Sequence, residues 1–546
     1  MRKNLLLASL FLSSQLFAQS TYMQVYSIFQ AKCASCHNSS VFSGSLDLAS
    51  APSVVYTHIV NHNPVNPASL ALGHKLISGG EPHRSLLLRK INNGLDTDNN
   101  ISVNEGAAMP QSPNPALSNY EIELVRQWVL SGAPQTGMVV DTALLTKFYS
   151  GYGITNPAVP LAPPSTAGFQ IHLGKVFVAP ASESEVFIKY NTRLTDTTEV
   201  YRVQPLQPAQ SHHLVIYKFF PGQDVNYAKG FRSATGTGGN GPSHASADAL
   251  SAFSPLTLDH VLPAGTAYRV EKNAVFDLNL HIVNPNPDSV LGAEVYINFY
   301  TQPKGTAQKI MYRRNFPDLS IVIPPGDSTI YDNVAAFDST ETNMWEIWIM
   351  YTHTHRYGVD YDIWKRNPDF TKGDQVYEGF YDFDYTVNQG YYGWGVHGAQ
   401  ERFSPFLEIN PQLGFLSRAK WYNFGTDTVR FGLTSLTEMS VIGFEYTYGP
   451  PIATAGLQTI ENSTLSFKTY PNPYSDVTKI TYSLKESSKV KLEVYNVLGE
   501  KVQTLAEEEQ NKGNYQYTFN NSEAGIYFLA ITVNGKRYLQ KLIQTD

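Results

Sequence analysis

The chain has 546 residues, of which 42% are hydrophobic and 16% charged, a composition typical of folded proteins and too apolar for a disordered one. Its formal net charge of −7, with no basic stripe, argues against nucleic acid as a partner. The length is too great for one core and predicts about three or four domains, and abundant Tyr, Phe, Pro and Gly favour strands and turns over long helices.

The N-terminus has the pattern of a secretory signal. Arg2 and Lys3 precede an apolar run over residues 5–16, and cleavage after Ala18 is expected, so residues 1–18 are interpreted as a signal peptide. The run is too short to span a bilayer, and no later segment is suitable. We therefore expect a secreted or cell-surface protein without a transmembrane segment.

The only two cysteines, Cys33 and Cys36, lie in the motif Cys-Ala-Ser-Cys-His. Two thiols at this spacing can form thioether bonds to haem vinyl groups, and His37 can then bind the iron. A redox dithiol or half of a zinc site is the alternative, but zinc would need further ligands at matching spacing. The motif predicts one covalently attached haem c.

Residues 20–137 are predicted to form a small, partly helical domain around this haem. A capping box of Ser118 and Glu121 should start an amphipathic helix that ends at Gly132. The sixth iron ligand should be a soft or imidazole donor in a loop before this helix, and Met109 lies there. The competing candidates are His58, His62, His74 and His83.

This region resembles a class of bacterial cytochrome c domains. The segments that carry the resemblance are CASCH, Leu46-Asp47-Leu48, Ser85-Leu86-Leu87, Met109-Pro110 and the ending from Trp128 to Pro134. The resemblance implies that His37 and Met109 are the axial ligands.

From about residue 165 to residue 449, strand-forming segments alternate with Pro, Gly and Asn, which predicts β-sandwiches. The main predicted strands are Val176–Val178, Glu185–Tyr190, His212–Phe220, Ala274–Val283, Glu294–Tyr300 and Glu346–His355. Thr301–Gln308 is the expected joint between a first sandwich, 165–302, and a second, 308–449.

Histidines in this region stand in strand contexts that suit metal binding. His353 and His355 are two positions apart, so on a strand both imidazoles point to one face and can bind one metal ion. His212 and His213 are adjacent, so joint ligation requires a β-bulge or different ring nitrogens. His281 lies in an apolar segment. A lone strand histidine is usually structural, so the prediction rests on the combination.

The order of these histidines, followed by Met439, resembles the copper type II, ascorbate-dependent monooxygenases, the family of the peptidylglycine α-hydroxylating and dopamine β-hydroxylating enzymes. The resemblance covers about 165–449 and implies two packed β-sandwich subdomains with one copper ion each. The ligands implied for an electron-transfer copper are His212, His213 and His281. The ligands implied for the catalytic copper, which binds dioxygen, are His353, His355 and Met439.

Imidazole suits copper in both oxidation states, and a thioether favours Cu(I), the form that meets dioxygen. The resemblance implies hydroxylation of a C–H bond of a small organic substrate with O2, with electrons from a small diffusible reductant. Because a haem domain is predicted in the same chain, we expect the haem to supply the electrons, with an external reductant or a redox protein as the alternative. Two departures are visible: the region has no cysteine, and Tyr351 stands where the peptide-amidating enzymes have a substrate-binding arginine. A C-terminal glycine substrate is therefore not expected.

Residues 465–546, after a linker over 450–464, resemble the C-terminal sorting domain of the type IX secretion system. The matching segments are Tyr470-Pro471-Asn472-Pro473, Val494–Gly499, Gly525-Ile526-Tyr527 and Lys541-Leu542. The resemblance implies an Ig-like sandwich that is recognised by the type IX secretion machinery and directs export.

The sequence thus predicts a mainly β protein with a small α-helical cytochrome c domain, two tandem β-sandwich copper subdomains and a C-terminal Ig-like β-sandwich. Two copper ions and one haem c are the expected cofactors, and the leading hypothesis is an exported copper-dependent monooxygenase. The alternatives are a non-catalytic copper and haem electron carrier or copper-binding surface protein, and a surface binding module with a vestigial site.

Overall fold

The computed structural model describes residues 20–155, 162–163, 166–234, 241–243, 245–253, 259–326, 328–380, 400–432, 437–452, 465–496, 500–521 and 523–545. The chain separates into two compact units, Met1–Gly449 and Pro450–Asp546. It is mostly β, as predicted. The predicted signal peptide and most of the predicted linker lie outside the described residues.

The α-helices of the described residues all lie in the N-terminal part of the first unit. They are α1 (Thr21–Lys32), α2 (Pro52–Ile59), α3 (Pro67–Ala71), α4 (Leu86–Ile91), α5 (Asn119–Leu130) and α6 (Thr142–Lys147). The predicted capping box is present at the start of α5: the Glu121 amide donates to the Ser118 hydroxyl, and the Ser118 amide donates to the Glu121 carboxylate. Trp128 of α5 is fully buried and packs on the Tyr22 ring of α1.

The first β-sandwich follows the helices. Its strands are β1 (Gly153–Thr155), β2 (Gly168–Val178), β3 (Ser182–Asn191), β4 (Thr198–Leu206), β5 (Ser211–Phe219), β6 (Gly230–Ser233), β7 (Ala247–Phe253), β8 (His260–Val261), β9 (Thr266–Val270), β10 (Val275–Asn284), β11 (Val290–Pro303) and β12 (Lys309–Ile310). One sheet has the order β6-β3-β10-β5-β7. The other sheet has the order β1-β11-β4-β9-β12; in addition, β2 pairs with β11 and β8 pairs with β4. The buried rings of Phe276 and Phe299, one from each sheet, meet in the core between them.

The second sandwich begins directly after β12. Its strands are β13 (Tyr312–Pro317), β14 (Val322–Ile323), β15 (Ser328–Ala335), β16 (Asn343–Thr354), β17 (Gly358–Arg366), β18 (Lys372–Phe380), β19 (Glu401–Ile409), β20 (Phe415–Tyr422), β21 (Val429–Arg430) and β22 (Ser440–Pro451). Two four-stranded sheets, β13-β22-β16-β19 and β15-β20-β17-β18, enclose its core, and β14 pairs with β21. Phe415 and Phe444 connect the two sheets through this core.

A buried ionic network joins the two sandwiches. His260 of β8 donates from Nε2 to the Glu445 carboxylate of β22 at 3.0 Å, and Arg313 of β13 donates to the other Glu445 oxygen at 3.0 Å. Burial alone would raise the pKa of Glu445, but the charges of His260 and Arg313 outweigh it, so this pKa lies below its usual range. The Arg313 guanidinium also stacks on the ring of Tyr351, two residues before His353 in β16. The network therefore supports the strand that carries the predicted His353–His355 pair.

The helical region packs on the first sandwich. Arg126 and Gln127 of α5 both donate side-chain hydrogen bonds to the carbonyl of Lys175 in β2, at 2.8 and 2.7 Å. The His83 ring stacks on Tyr190 of β3 with 5.6 Å between centroids. Strand β3 therefore contacts the helical region near one end, while its other end lies beside the histidines described below.

The second unit is described by itself. Its strands are β23 (Leu465–Tyr470), β24 (Thr478–Leu484), β25 (Ser488–Asn496), β26 (Lys501–Gln510), β27 (Gly513–Phe519), β28 (Gly525–Val533) and β29 (Lys536–Gln544). They form two sheets, β23-β24-β27 and β26-β25-β28-β29, around one apolar core. This unit has no histidine or cysteine in its sequence. Among the described helices of the whole chain, none has the length and apolarity needed to cross a bilayer.

Candidate functional site

Five histidines from both sandwiches come together at one place. His212 and His213 lie on β5, and His281 lies on the neighbouring strand β10 of the first sandwich. His353 lies near the end of β16, and His355 directly follows that strand in the second sandwich. The centroid of the His212 ring lies 4.7 Å from the ring centroid of His281, 5.5 Å from that of His353 and 5.6 Å from that of His355. The two predicted ligand sets are thus neighbours across the joint between the sandwiches.

A β-bulge explains how the adjacent residues His212 and His213 can face one site. Along β10, His281 pairs with His213, but the next residue, Ile282, pairs with Ser211. His212 is therefore the extra residue of a bulge, which re-aims its side chain. The Nδ1 atoms of His212 and His213 lie 3.0 Å apart. Two nitrogens bound at about 2.0 Å to one ion are separated by about 2.8–3.3 Å, so this spacing suits ligands of a single metal ion.

Polar side chains accept hydrogen bonds from the Nε2 atoms of His213 and His281, which are called the outer nitrogens because the Nδ1 atoms are left for the cluster. His213 Nε2 donates to the Asn279 side-chain oxygen at 2.7 Å, and His281 Nε2 donates to Glu183 at 2.9 Å. His281 Nδ1 is buried and has no hydrogen-bond partner among the described residues. A buried polar atom of this kind is destabilising unless something binds it. In metal sites, a hydrogen-bond partner on one ring nitrogen commonly fixes the tautomer of a histidine and leaves the other nitrogen for the metal. The group of His212, His213 and His281 therefore fits a metal ion.

In the second pair, His355 is held in a similar way, through Nδ1. His355 Nδ1 donates to the Thr437 carbonyl at 2.9 Å, which leaves Nε2 for a ligand. The backbone amides of His355 and Tyr357 both donate to the buried carboxylate of Glu438, which fixes the turn after β16. Burial raises the pKa of Glu438 to about 7. His355 is only 1% exposed, whereas His353 is half-buried, so the centre reaches the surface on the His353 side.

Met439 follows the glutamate that supports the His355 turn. Its amide donates to the Glu438 carboxylate at 2.8 Å, and its side chain is half-buried. The segment Thr437–Met439 therefore lies against the turn that carries His355. The structure brings the backbone of the predicted thioether ligand beside the histidine pair.

The imidazoles of His212 and His355 are neutral at ordinary pH. Burial, followed by the neighbouring imidazoles, holds the pKa of His212 well below its usual range. Burial likewise lowers the pKa of His355 to about 4. Histidine must be neutral to bind a metal, so these rings need no proton release at pH 7 before binding the first ion.

Two residues of the haem motif line a cavity of about 660 Å³. Cys33, His37 and Met109 all line this cavity, as do His58 and His62. His37 Nδ1 donates to the Ser43 carbonyl at 2.8 Å, which directs Nε2 away from the backbone and leaves it for iron. The cavity is lined by one thiol of the motif, Cys33, and by the His37 imidazole, while Cys36 is exposed nearby in sequence; this arrangement fits a covalently attached haem.

Two of the four competing histidines are engaged elsewhere. His74 is buried and lies 3.0 Å from Glu105, and His83 stacks on Tyr190 of the first sandwich; neither lines the cavity. Burial raises the pKa of the Cys33 thiol to about 11, whereas a reactive redox dithiol has a lowered thiol pKa. His58 and His62, which line the cavity, remain as competitors of Met109.

Sequence reasoning missed the acidic residues that lie beside the clustered histidines. Glu183 and Glu185 lie two positions apart on β3, and Glu185 pairs across the sheet with His281. The alternation Ser-Glu-Ser-Glu at 182–185 was the available signal, because residues two apart on a strand face the same side.

Comparisons with known proteins identify the tail alone. The family model of the secretion system C-terminal sorting domain matches residues 468–545. This tail indicates export, followed by secretion or cell-surface attachment, and the secretion machinery as a partner. No curated protein matches the chain.

The solved structures that resemble the chain do so only faintly. They include the β-glucuronidase of Ruminococcus gnavus, with 12% identity, 40% of this chain and 36% of that chain covered, and a TM-score of 0.12. The Lactobacillus rhamnosus β-glucuronidase has 11% identity, coverages of 43% and 35%, and a TM-score of 0.12. The Parabacteroides merdae enzyme has 13% identity, coverages of 39% and 27%, and a TM-score of 0.12. The chain thus spans about a third of their length, and scores this low carry no argument about function.

Proposed function

We propose that this exported protein is a copper-dependent monooxygenase that hydroxylates a C–H bond of a small organic substrate, with electrons supplied through a covalently bound c-type haem. The observation that carries the proposal is the meeting of five histidines, three of which, His213, His281 and His355, have one ring nitrogen held by Asn279, Glu183 and Thr437 respectively. Carboxylate and carbonyl partners of this kind orient imidazoles toward a metal ion.

Copper, when bound, would supply the one-electron chemistry that activates dioxygen and removes a hydrogen atom from the substrate. The chain's own residues define what can reach it. Buried His212, His281 and His355 close the inner side of the centre, whereas His213 and His353 are half-buried. Substrate and dioxygen would therefore approach from the side of His213 and His353.

The haem role is supported by the packing of the helical region on the first sandwich. Strand β3 carries Tyr190, which stacks on His83, and also Glu185, which lies 3.5 Å from His213 Nε2. One strand thus contacts both redox regions. Covalent linkage in one chain raises the effective concentration of an electron donor, so tight binding is not required.

The proposal is tested by oxygen consumption. Copper-loaded, pre-reduced protein should consume dioxygen in the presence of a substrate from a panel of small organic molecules, and isotopically labelled dioxygen should place one oxygen atom in the product. The copper-free protein is the control. If copper and haem exchange electrons but no member of the panel gains oxygen, the chain is an electron carrier and the enzyme proposal fails.

A separate prediction concerns the iron. Met109→Ala should remove the sulfur-to-iron absorption band and lower the haem reduction potential, because a thioether ligand favours the ferrous state. His58→Ala, a change at another residue of the same cavity, should leave the band in place. The spectra of the denatured proteins should remain those of haem c in both variants. An unchanged band in Met109→Ala, with a loss in His58→Ala or His62→Ala, would reassign the sixth ligand.

A further inference from the structure

The five histidines fall into two groups of three that share one residue. His212 groups with His213 and His281, and it groups again with His353 and His355. Within each group, one ring nitrogen of each residue lies within 4.8 Å of the others. The resemblance drawn from the sequence implies one separate copper ion in each sandwich, whereas these positions overlap at His212.

The ring of His212 can serve both groups because its two nitrogens lie on opposite sides. Its Nδ1 atom lies 3.0 Å from His213 Nδ1, so this nitrogen belongs to the first group. When both groups hold an ion at once, the second ion would take Nε2, because one ring nitrogen binds one ion. The His212 side chain is fully buried, and the rings of His353 and His355 from the other sandwich pack within 5.6 Å of it.

We propose that His212 bridges two metal ions through its two ring nitrogens, so that the five histidines form one compact two-metal centre across the joint of the sandwiches. The proposal rests on the copper chemistry of the proposed function. With bonds of about 2.0 Å, ions on the two nitrogens of one imidazole lie about 6 Å apart. Binding of the second ion displaces the remaining N–H proton of His212, which leaves to solvent.

The test uses the full chain loaded with Cu(II), with copper content measured by atomic absorption and electron paramagnetic resonance recorded in the copper region. A bridging imidazole couples the two copper spins. We therefore expect two bound coppers, a copper signal well below the intensity that the copper content would give, and a half-field transition. His212→Ala should restore full intensity per remaining copper. His172→Ala, which removes a buried histidine of the same sandwich outside the cluster, should leave the coupled signal unchanged.

Two coppers with full, uncoupled intensity in the unaltered protein would overturn the bridge, as would binding of a single copper. Because both measurements are made on the unaltered protein, the bridge can be tested even if His212→Ala fails to fold.

Failure of the bridge can also be distinguished from failure of the proposed function. Uncoupled coppers with product formation would remove the bridge and keep the enzyme, whereas coupled coppers without product formation would keep the bridge and remove the enzyme.

Discussion

Met439→Ala is expected to abolish substrate hydroxylation while copper remains bound to the histidines of the first sandwich. The segment Thr437–Met439 lies against the His355 turn, so the change removes a thioether from the position proposed for the oxygen-binding ion. Loss of an outer partner of a metal ligand reduces activity or affinity by about 10–100-fold, and loss of a direct ligand should reduce it at least as much. Product formation and copper content are measured on the same samples.

Met439→Leu separates ligation from packing. Leucine keeps nearly the same volume and removes the sulfur, so it should be as inactive as Met439→Ala if the thioether binds the ion. His353→Ala should behave like both, because it removes an imidazole from the same position. Full turnover in Met439→Leu would show that Met439 only packs there, and loss of the copper held by His213 and His281 would contradict the assignment of two positions.

The second large effect is expected on stability. Glu445→Gln should lower the free energy of unfolding of the first unit by about 3–5 kcal/mol, because it leaves the charge of Arg313 buried without its partner. Glu445 is 1% exposed and contacts His260 and Arg313 at 3.0 Å each. The measurement is the shift of the denaturant midpoint, followed by tryptophan fluorescence, with copper content recorded in parallel.

Asp332→Asn is the matched control for Glu445→Gln. Asp332 forms a bidentate pair with Arg418 on the same sandwich, but both side chains are at least half exposed, so loss of the charge should change the midpoint little. Equal midpoints for Glu445→Gln and the unaltered protein would show that the buried network does not stabilise the joint.

Local patterns predicted the elements of this protein well. The capping box at Ser118 and Glu121 is present. Strand β3 covers the strand expected there, whereas β5, β10 and β16 each leave out one terminal residue of the expected strand. The joint was placed too early: β12 at Lys309–Ile310 still pairs with β9, so the first sandwich continues beyond Gln308. A two-residue strand that returns to its sheet has no periodicity that a sequence pattern can detect.

The site was only partly predictable. Residue spacing indicated that His353 and His355 share a face, and the adjacent pair His212–His213 indicated a bulge or two ring nitrogens; the structure has the bulge. The meeting of both histidine sets could not be predicted, because it depends on how two sandwiches pack over long sequence separations. For the same reason the sequence could not predict that His260 is buried in the ionic network that joins the sandwiches.

An ion held by imidazoles of both sandwiches would also act as a cross-link between them. A ligand that binds only the assembled arrangement stabilises it by mass action, in proportion to the logarithm of its concentration over its dissociation constant. Thermodynamic reciprocity then requires that whatever holds the sandwiches together also tightens metal binding. Glu445 does not contact the proposed ions, but by holding the sandwiches together it would raise the metal affinity of the centre. Conversely, removal of the ions by a chelator should weaken the contact between the two sandwiches.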